Sequence, residues 1–106
     1  MQRYLALDMG AESGRLMSVT ITDQISTEEI HRFQTPVATD SRNRRCWDFP
    51  KIIDEVCIAL SKAAANKPYS GLAVDTWGLD FALIDHAGEI MELPVCHRDH
   101  RTDGML

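Results

Sequence analysis

The chain has 106 residues, of which 44% are hydrophobic and 25% charged, and its formal net charge is −5. This length is enough for one small globular domain, and no apolar run approaches the roughly 18 residues that a membrane-spanning helix requires. Because nucleic-acid binding depends on clustered Lys and Arg, neither a nucleic acid nor a membrane is expected as a partner.

The first third of the chain predicts three β-strands. Tyr4–Asp8 is a short apolar run that leads into a loop between two glycines, and Arg15–Ile21 alternates apolar and polar residues with a period of two. A weaker third strand is predicted over Ser26–Thr35, where Pro36 ends it. The first two strands are expected to be antiparallel.

The middle of the chain predicts a surface loop and then a helix. Val37–Cys46 is polar, contains three arginines and shows little periodicity, so it is interpreted as a loop. Asp48 can cap a helix of about four turns, which Asn66 and Pro68 end. The apolar residues that recur at helical spacing are Phe49, Ile52, Ile53, Val56, Leu60, Ala63 and Ala64.

The last third predicts three more strands, over Gly71–Val74, Leu79–Ile84 and Glu89–Met91, with a turn at Asp85–Gly88 between the last two. The order is therefore β-β-β-α-β-β-β. Because the helix is long enough for a crossover connection, the fourth strand is expected to be parallel to an earlier one. These elements predict an α/β fold with a mixed sheet.

The first group of residues with chemical potential is Asp8–Arg15. Glycines at positions 10 and 14 would let backbone amides converge on an anion, while Ser13 offers a hydroxyl and Arg15 a fork of donors. These features suit a phosphate group, and Asp8 could hold a metal ion through water. A plain hairpin turn, with glycine present only for geometry, remains open as an alternative. The segment matches neither a Walker A loop nor a dinucleotide fingerprint.

The second group is Asp75–Phe81, at a predicted strand end. Trp77 can form the apolar wall of a sugar pocket, Gly78 leaves the backbone accessible to a hydroxyl, and the carboxylates can bind sugar hydroxyls. In the alternative interpretation, Trp77 and Phe81 are core residues and Gly78 only permits a bend.

The third group is Cys96–Gly104. His97 and His100 have the spacing of metal ligands, but without a second paired cluster a solvated face is the more common explanation, and zinc is not expected. His97, Arg98 and Asp99 also imitate the catalytic loop of protein kinases, whose later asparagine is replaced here by Gly104. The plain alternative is that Arg98 and Asp99 line the edge of a pocket.

Together these motifs resemble the N-terminal part of the FGGY carbohydrate kinases, and the resemblance covers essentially the whole chain. The Asp-Thr-Trp-Gly-x-Asp-Phe stretch is similar to the corresponding segment of the family members that act on L-rhamnulose. The segments that carry the resemblance are Ala6–Ala11 with Ser13–Arg15, Glu29–Phe33, Trp47–Asp48, Asp75–Phe81, Leu93–Val95 and Arg98–Thr102.

This resemblance implies a ribonuclease H-like, actin-type domain that is incomplete over residues 1–106, with a second, C-terminal domain absent. It implies Mg²⁺-dependent transfer of the γ-phosphoryl group of ATP to the C1 hydroxyl of L-rhamnulose. The open alternatives are a kinase for another ketose, such as L-fuculose or xylulose, and a non-catalytic module that binds sugar or phosphate.

The resemblance also assigns roles to residues of this chain. The catalytic base and the adenosine pocket belong to the missing second domain, so no catalytic residue is expected within these 106 residues. Glu12 departs from the family, where small hydroxyl residues are usual, because a carboxylate would repel phosphate unless it turns outward or meets the metal. The implied residues are Ala11, Glu12, Ser13, Gly14 and Arg15 for the ATP phosphates, Asp8 for Mg²⁺ through water, and Gly78, Trp77, Asp80, Arg98 and Asp99 for the sugar.

Overall fold

The computed structural model describes residues 1–99 and 103–105. The described elements are six strands, one α-helix and a 3₁₀ turn. In chain order they are β1 (Gln2–Met9), β2 (Ser13–Ile21), β3 (Ile25–Gln34), β4 (Val37–Thr39), β5 (Arg45–Trp47), α1 (Phe49–Ala63), the 3₁₀ turn Ala64–Asn66 and β6 (Gly71–Asp75). The three-strand start, the single helix and the strand that follows it are confirmed.

Two compact units can be distinguished within the chain. The first comprises Met1–Thr35 and Ile53–Trp77, and the second comprises Pro36–Ile52 and the residues from Gly78 onward. In the first unit, four strands form a sheet in the order β3-β2-β1-β6. β1 pairs antiparallel with β2 and parallel with β6, so the helix is a crossover connection as expected.

The core of the first unit lies between this sheet and α1. Alternate residues of β1 and β2 face the helix, as the two-residue period of a strand requires. The buried members are Leu5, Leu7, Leu16, Ala59 and Ala63, with Met9, Ile30, Val56, Leu60 and Tyr69 packed against them. Three of the expected helix core positions are wrong, because Phe49, Ile53 and Ala64 are exposed.

β3 contains a bulge that the sequence pattern does not reveal. Ile30 and Phe33 are three residues apart, so a regular strand would place them on opposite faces. The β2–β3 register shifts between Leu16 and Met17, which pair with His31 and Glu29 and leave Ile30 as the extra residue. Ile30 therefore packs on the core while Phe33 is also buried.

β3 is also tied to α1 by polar contacts. The Nε2 and Nδ1 atoms of His31 lie 2.7 Å from Glu55 Oε2 and 2.8 Å from Lys62 Nζ. Since the ammonium group can only donate, Nδ1 accepts from Lys62 and the Nε2–H group donates to Glu55. His31 also stacks on Phe33. His31 therefore links β3 to α1 at two positions of the helix, Glu55 and Lys62.

β6 forms the edge of the sheet among the described residues, and all five of its residues are exposed. Leu72 and Val74 pair with the buried core residues Leu5 and Leu7 in the β1–β6 register. The apolar face of the sheet thus continues across β6, where Leu72 and Val74 remain 49% and 56% exposed.

The second unit contains a hairpin where a surface loop is predicted. β4 and β5 pair antiparallel over three residues on each side, and Asp40 stabilises the connection. Its carboxylate accepts hydrogen bonds from the backbone N–H groups of Arg42 and Arg44 and from the Arg44 guanidinium. These bonds to the charged form lower the pKa of Asp40 to about 2.

The two final predicted strands are wrong as extended elements. Leu79–Ile84 and Glu89–Met91 meet only at an isolated bridge between Ile84 and Ile90. The predicted turn at Asp85–Gly88 is confirmed, because the Asp85 carboxylate accepts the N–H groups of Ala87 and Glu89 and Gly88 has a positive φ of 85°. The turn therefore forms, but no β-ladder extends from it beyond this bridge.

α1 begins and ends where its sequence signals predict. The Asp48 carboxylate accepts the backbone N–H of Lys51, which satisfies one of the free amides of the first turn. The helix gives way to the 3₁₀ turn after Ala63 and stops before Pro68. Among the described residues no helix has the length and apolar character needed to cross a membrane.

Candidate functional site

The loop between β1 and β2 is held by Thr35 at the end of β3. The Gly10 N–H group donates to the Ser13 carbonyl at 2.9 Å, which closes the turn. The Thr35 N–H group donates to the Glu12 carbonyl at 2.9 Å, and its buried hydroxyl donates to the Gly10 carbonyl at 2.7 Å. Two carbonyls of the loop are thereby turned toward Thr35.

The predicted role of the loop glycines needs correction. Neither Gly10 nor Gly14 has a positive φ, so neither is required for a conformation that other residues resist. Gly14 is buried within β2, where an added Cβ would lie 2.3 Å from Cζ of Phe33. Gly14 is therefore required by the close packing of Phe33 on the sheet. At Gly10 the added Cβ would lie 3.1 Å from the Ser13 carbonyl oxygen, which is also a tight approach.

Asp8 and Arg15 face each other across the β1–β2 ladder. They are register partners, and the Nη2 and Nε atoms of Arg15 lie 3.2 and 3.3 Å from one carboxylate oxygen of Asp8. Both side chains are nearly half exposed, so this pair contributes little to stability. Asp75 of β6 is the register partner of Asp8 on the other side. One row across three strands therefore carries Arg15, Asp8 and Asp75.

The other predicted phosphate residues lie in and beside this loop. Ala11 and Ser13 are half-buried, and Glu12 is exposed at its tip. The five residues from Ala11 to Arg15 thus form one continuous segment at the end of the sheet.

A complete metal site is not formed by the described residues, since no three His, Cys, Asp or Glu side chains among residues 1–99 and 103–105 converge. His100, which the sequence pairs with His97, lies outside them. The donor chemistry at the sheet end still suits Mg²⁺, because Asp8 and Asp75 offer carboxylate oxygens, which are the ligands that this ion prefers.

The predicted sugar segment opens to solvent at Gly78. A Cβ built on Gly78 would meet no atom within 4 Å, so the chain can accommodate a side chain there and its backbone is accessible. Trp77 is half-buried, whereas Phe81 is 74% exposed. The alternative that Phe81 is a core residue is therefore wrong for this chain.

Asp80 is held by two aromatic residues of the second unit. Its Oδ2 atom accepts the Trp47 indole N–H at 2.7 Å and lies 2.8 Å from Nδ1 of His97. The side chain of Asp80 is only 7% exposed, and Trp47 is buried. Asp80 is thus an anchored carboxylate.

Arg98 and Asp99 follow in the turn that packs on β5. The carboxylate of Asp99 accepts the Arg45 N–H at 2.7 Å, while Arg98 is exposed. The backbone carbonyl of Arg45 in turn accepts a hydrogen bond from the Cys96 N–H group. The next residue of β5 is Cys46, and burial raises the pKa of its thiol. Of the two predicted residues, Asp99 is bonded to the strand and Arg98 is exposed.

A pocket of about 280 Å³ adjoins these residues in the second unit. Its wall includes Asp80 together with exposed apolar residues of the same segment, and Arg44 and Glu92 form an ion pair at its side. The lining residues are Arg44, Leu79, Asp80, Phe81, Ala82, Leu83, Glu92, Leu93 and Val95.

The contacts of three residues were not predicted from the sequence. Thr35, Trp47 and His97 act through hydrogen bonds between segments far apart in the chain, and local spacing does not indicate such bonds. Asp75 was considered only as a possible ligand of sugar hydroxyls, and its place beside Asp8 was not predicted. Its position was open to inference, because the ends of neighbouring parallel strands meet at one sheet edge.

We expect Thr35→Val to loosen the β1–β2 loop while preserving the volume of the side chain. The substitution leaves the Gly10 carbonyl without its buried donor, and such a loss costs about 1 to 3 kcal/mol. Amide hydrogen exchange at Gly10–Ser13 should accelerate, whereas exchange in α1 should not change. Thr27→Val, at an exposed position of the same strand, is the matched control. Equal protection in both variants would contradict the role assigned to Thr35.

Comparisons with known proteins show what this chain is similar to. No protein-family model matches the chain. A rhamnulokinase from Mannheimia succiniciproducens is 36% identical over 105 residues, covering 95% of this chain and 22% of that protein. A rhamnulokinase from Oceanobacillus iheyensis is 38% identical over 108 residues, covering 99% of this chain and 23% of its relative. The chain is therefore similar, over nearly its whole length, to one part of these rhamnulokinases.

The similarity to rhamnulokinases extends over the whole chain, and the chain spans about a fifth of the length of these relatives. Solved structures agree on the fold. A xylulose kinase from Rhodospirillum rubrum superposes with a TM-score of 0.74 at 16% identity, covering 97% of this chain and 22% of that chain. A ligand-bound xylulose kinase from Lactobacillus acidophilus gives 0.71 at 9% identity, covering 90% and 19%. The fold is that of the N-terminal domains of FGGY sugar kinases, the actin-type ATPase fold.

Proposed function

We propose that residues 1–106 are the N-terminal part of an ATP-dependent sugar kinase that phosphorylates the C1 hydroxyl of L-rhamnulose. The observation that carries this proposal is the similarity to rhamnulokinases across the whole chain. In the reaction, the bond between the γ-phosphorus and the bridging oxygen of ATP breaks, and a bond to the C1 oxygen forms. The hydroxyl proton passes to a base outside these residues.

The β1–β2 loop is the proposed binding site for the ATP phosphates. Amide groups at Ala11–Ser13 and the Ser13 hydroxyl would donate to phosphate oxygens, and Arg15 offers a planar fork that matches phosphate geometry. Gly14 would contribute through its close packing on Phe33. The guanidinium of Arg15 already pairs with Asp8 through one of that carboxylate's oxygens. A phosphate placed at the loop would share Arg15 with Asp8, and the carboxylate of the exposed Glu12 would repel it unless it turns outward or meets the metal.

Mg²⁺ is the proposed metal at the same end of the sheet. Asp8 would hold it through water, and Asp75 on the neighbouring strand supplies a second carboxylate nearby in register. The ion would neutralise charge on the phosphate oxygens as the phosphoryl group transfers. The two carboxylates are too few for a closed site, so the remaining ligands are waters and phosphate oxygens, which is the usual arrangement for Mg²⁺.

The proposed sugar site uses residues that follow β6 and residues of the Cys96–Asp99 turn. Gly78 leaves its backbone open to a sugar hydroxyl, and Trp77 offers an apolar ring face. Arg98 is exposed and can donate to sugar oxygens. Asp99 keeps its place through the Arg45 amide, so we assign it to the edge of the site.

A second, C-terminal domain is the proposed partner that completes the active site. The relatives are between four and five times as long as this chain, which covers 21–23% of them. The exposed Leu72 and Val74 on β6 continue the apolar face of the core, and further chain packed there would bury them.

We place the complete protein in the cytoplasm, in keeping with its free cysteines.

Two other functions stay in view as alternatives. The fold likeness to xylulose kinases and the ketose chemistry are also compatible with a kinase for xylulose or L-fuculose. A non-catalytic sugar-binding or phosphate-binding module would use the same loop and the same glycine. Saturable binding of L-rhamnulose to the isolated chain, without turnover by the native gene product, would favour the module.

We expect the isolated chain of 106 residues to show no appreciable kinase activity. Phosphoryl transfer depends on holding ATP and the acceptor between two walls, and these residues supply one of them. The native gene product and the isolated chain should be assayed side by side for ADP release with ATP, Mg²⁺ and L-rhamnulose. Turnover by the native product alone is the expected result. Comparable turnover by the isolated chain would refute the two-domain arrangement.

A further inference from the structure

The carboxylate of Asp80 is shared by two donors from different parts of the second unit. The Trp47 indole nitrogen lies 2.7 Å from Oδ2, and the His97 Nδ1 atom lies 2.8 Å from the same oxygen. The rings of Trp47 and His97 are also in tilted contact, with 6.1 Å between their centroids. The carboxylate is 7% exposed, and the imidazole 27%. The carboxylate and Trp47 are therefore largely removed from solvent, whereas His97 is partly exposed.

This cluster joins three segments of the chain. Trp47 belongs to β5, Asp80 follows Gly78 by two residues, and His97 precedes Arg98. Backbone hydrogen bonds support the arrangement, because the Trp47 N–H donates to the Pro94 carbonyl at 2.9 Å. An isolated bridge between the neighbours of these residues, at positions 46 and 95, lies beside it. Asp80 thus connects both proposed sugar segments to β5.

The chemistry of the cluster fixes the tautomer of His97. An ionised carboxylate can only accept hydrogen bonds, so the Nδ1 atom of His97 must carry the proton directed at Asp80. In the neutral ring, Nε2 is then the acceptor. The indole N–H of Trp47 is a donor only, and it too needs the carboxylate. Removing the acceptor would leave a buried donor unsatisfied and release the ring of His97.

We propose that Asp80 is a positioning residue, which holds the Gly78–Asp80 segment and the Cys96–Asp99 turn in register through Trp47 and His97. This assignment differs from a direct sugar ligand, because Oδ2 of the carboxylate accepts from two protein donors and the side chain is only 7% exposed. It rests on the proposed function in so far as these two segments bind the sugar. We expect Asp80 to affect sugar binding indirectly, because it positions Gly78 and Arg98.

The kinetic test compares Asp80→Ala, Asp80→Asn and His97→Gln in the native gene product. Asp80→Ala should raise KM for L-rhamnulose about tenfold with kcat within about threefold, because placement and not chemistry is lost. Asp80→Asn keeps an accepting oxygen and should recover most of the affinity. Glu89→Gln, an exposed carboxylate of the same unit, is the control and should leave KM unchanged.

A double-mutant cycle separates positioning from direct contact. If Asp80 acts through His97, the double variant Asp80→Ala/His97→Gln should be no worse than the more damaged single variant. Independent losses that multiply would mean that Asp80 contacts the sugar itself, and the proposal would be overturned. The proposal is overturned in the same way if Asp80→Asn is as damaged as Asp80→Ala.

A spectroscopic test decides the pairing without any activity. Long-range ¹H–¹⁵N spectra of the histidine-labelled native product should show the Nδ1–H tautomer in the neutral ring of His97. An Nε2–H tautomer in the unsubstituted protein would overturn the proposal, even if the variants fail to fold. Absence of turnover on every ketose would defeat the proposed function alone, and the tautomer would still settle the role of Asp80.

Discussion

Replacing Gly14 by valine is expected to lower the free energy of unfolding by about 3 kcal/mol. The first added carbon would lie 2.3 Å from Phe33 Cζ and less than 3 Å from two further ring atoms, well inside van der Waals contact. The ring is buried, and Phe33 is the register partner of Gly14 in β3, so a shift of the ring would disturb a packed position. Overpacking of this kind costs about 1 to 3 kcal/mol, and the branched side chain of valine places the loss at the upper end.

The loss should be visible as a lower midpoint of urea unfolding and as faster amide exchange in β1, β2 and β3. Gly71→Ala is the matched control, because its Cβ would lie 3.5 Å from the nearest atom of Tyr4, which is an ordinary contact. Phe33→Leu, which shortens the opposing ring, should restore part of the stability in the Gly14→Val background. If Gly14→Val and Gly71→Ala unfold at the same urea concentration, the packing role of Gly14 is wrong.

Gly78→Leu is expected to abolish turnover of the sugar while leaving the fold intact. Nothing lies within 4 Å of the position that a Cβ would occupy, so the leucine side chain meets no protein atom near the backbone. If the sugar binds at this backbone, the same side chain fills its place. A displacement of the substrate by about 1 Å can cost roughly 100-fold in rate, and leucine should cost at least that in kcat/KM.

The measurement is kcat/KM for L-rhamnulose in the native gene product, together with the urea midpoint. Gly78→Ala should show a smaller loss, because its methyl group intrudes less. The urea midpoint of both variants should match that of the unsubstituted protein. A Gly78→Leu variant with an unchanged KM would remove Gly78 from the sugar site, whereas a large fall in its urea midpoint would mean that the glycine has a structural role.

The sequence was sufficient for the elements whose signals are local. Alternation in Arg15–Ile21 and helical spacing after Asp48 both reflect burial of one face against the other, and β2 and α1 appear where these patterns place them. The parallel pairing of β6 with β1 follows from the length of the crossover.

The parts that the sequence did not reveal depend on contacts between distant segments. The three-residue strands β4 and β5 are too short for periodicity, and their hairpin is held by the Asp40 carboxylate. The bulge at Ile30 changes the side-chain alternation, which cannot be seen in a strand read alone. Leu79–Ile84 has apolar strand composition, yet it forms only a single bridge among the described residues.

The candidate site was predicted to the same limited extent. The motifs identified which residues carry potential chemistry, and the structure brings Asp8 to Arg15 as adjacent partners. It also changes the physical reason for Gly14, which packs under an aromatic ring and does not adopt an unusual backbone conformation. The role of Asp80 could not be predicted, because its partners are 33 and 17 residues away in the chain.

The most direct test of the proposed function is a comparison of kcat/KM for L-rhamnulose, L-fuculose and D-xylulose with the purified native gene product, ATP and Mg²⁺. We predict that L-rhamnulose gives the highest value and that the product carries phosphate at C1. A higher value for another ketose would contradict the assigned substrate. Absence of ketose-dependent ADP release with all three sugars would contradict the kinase function.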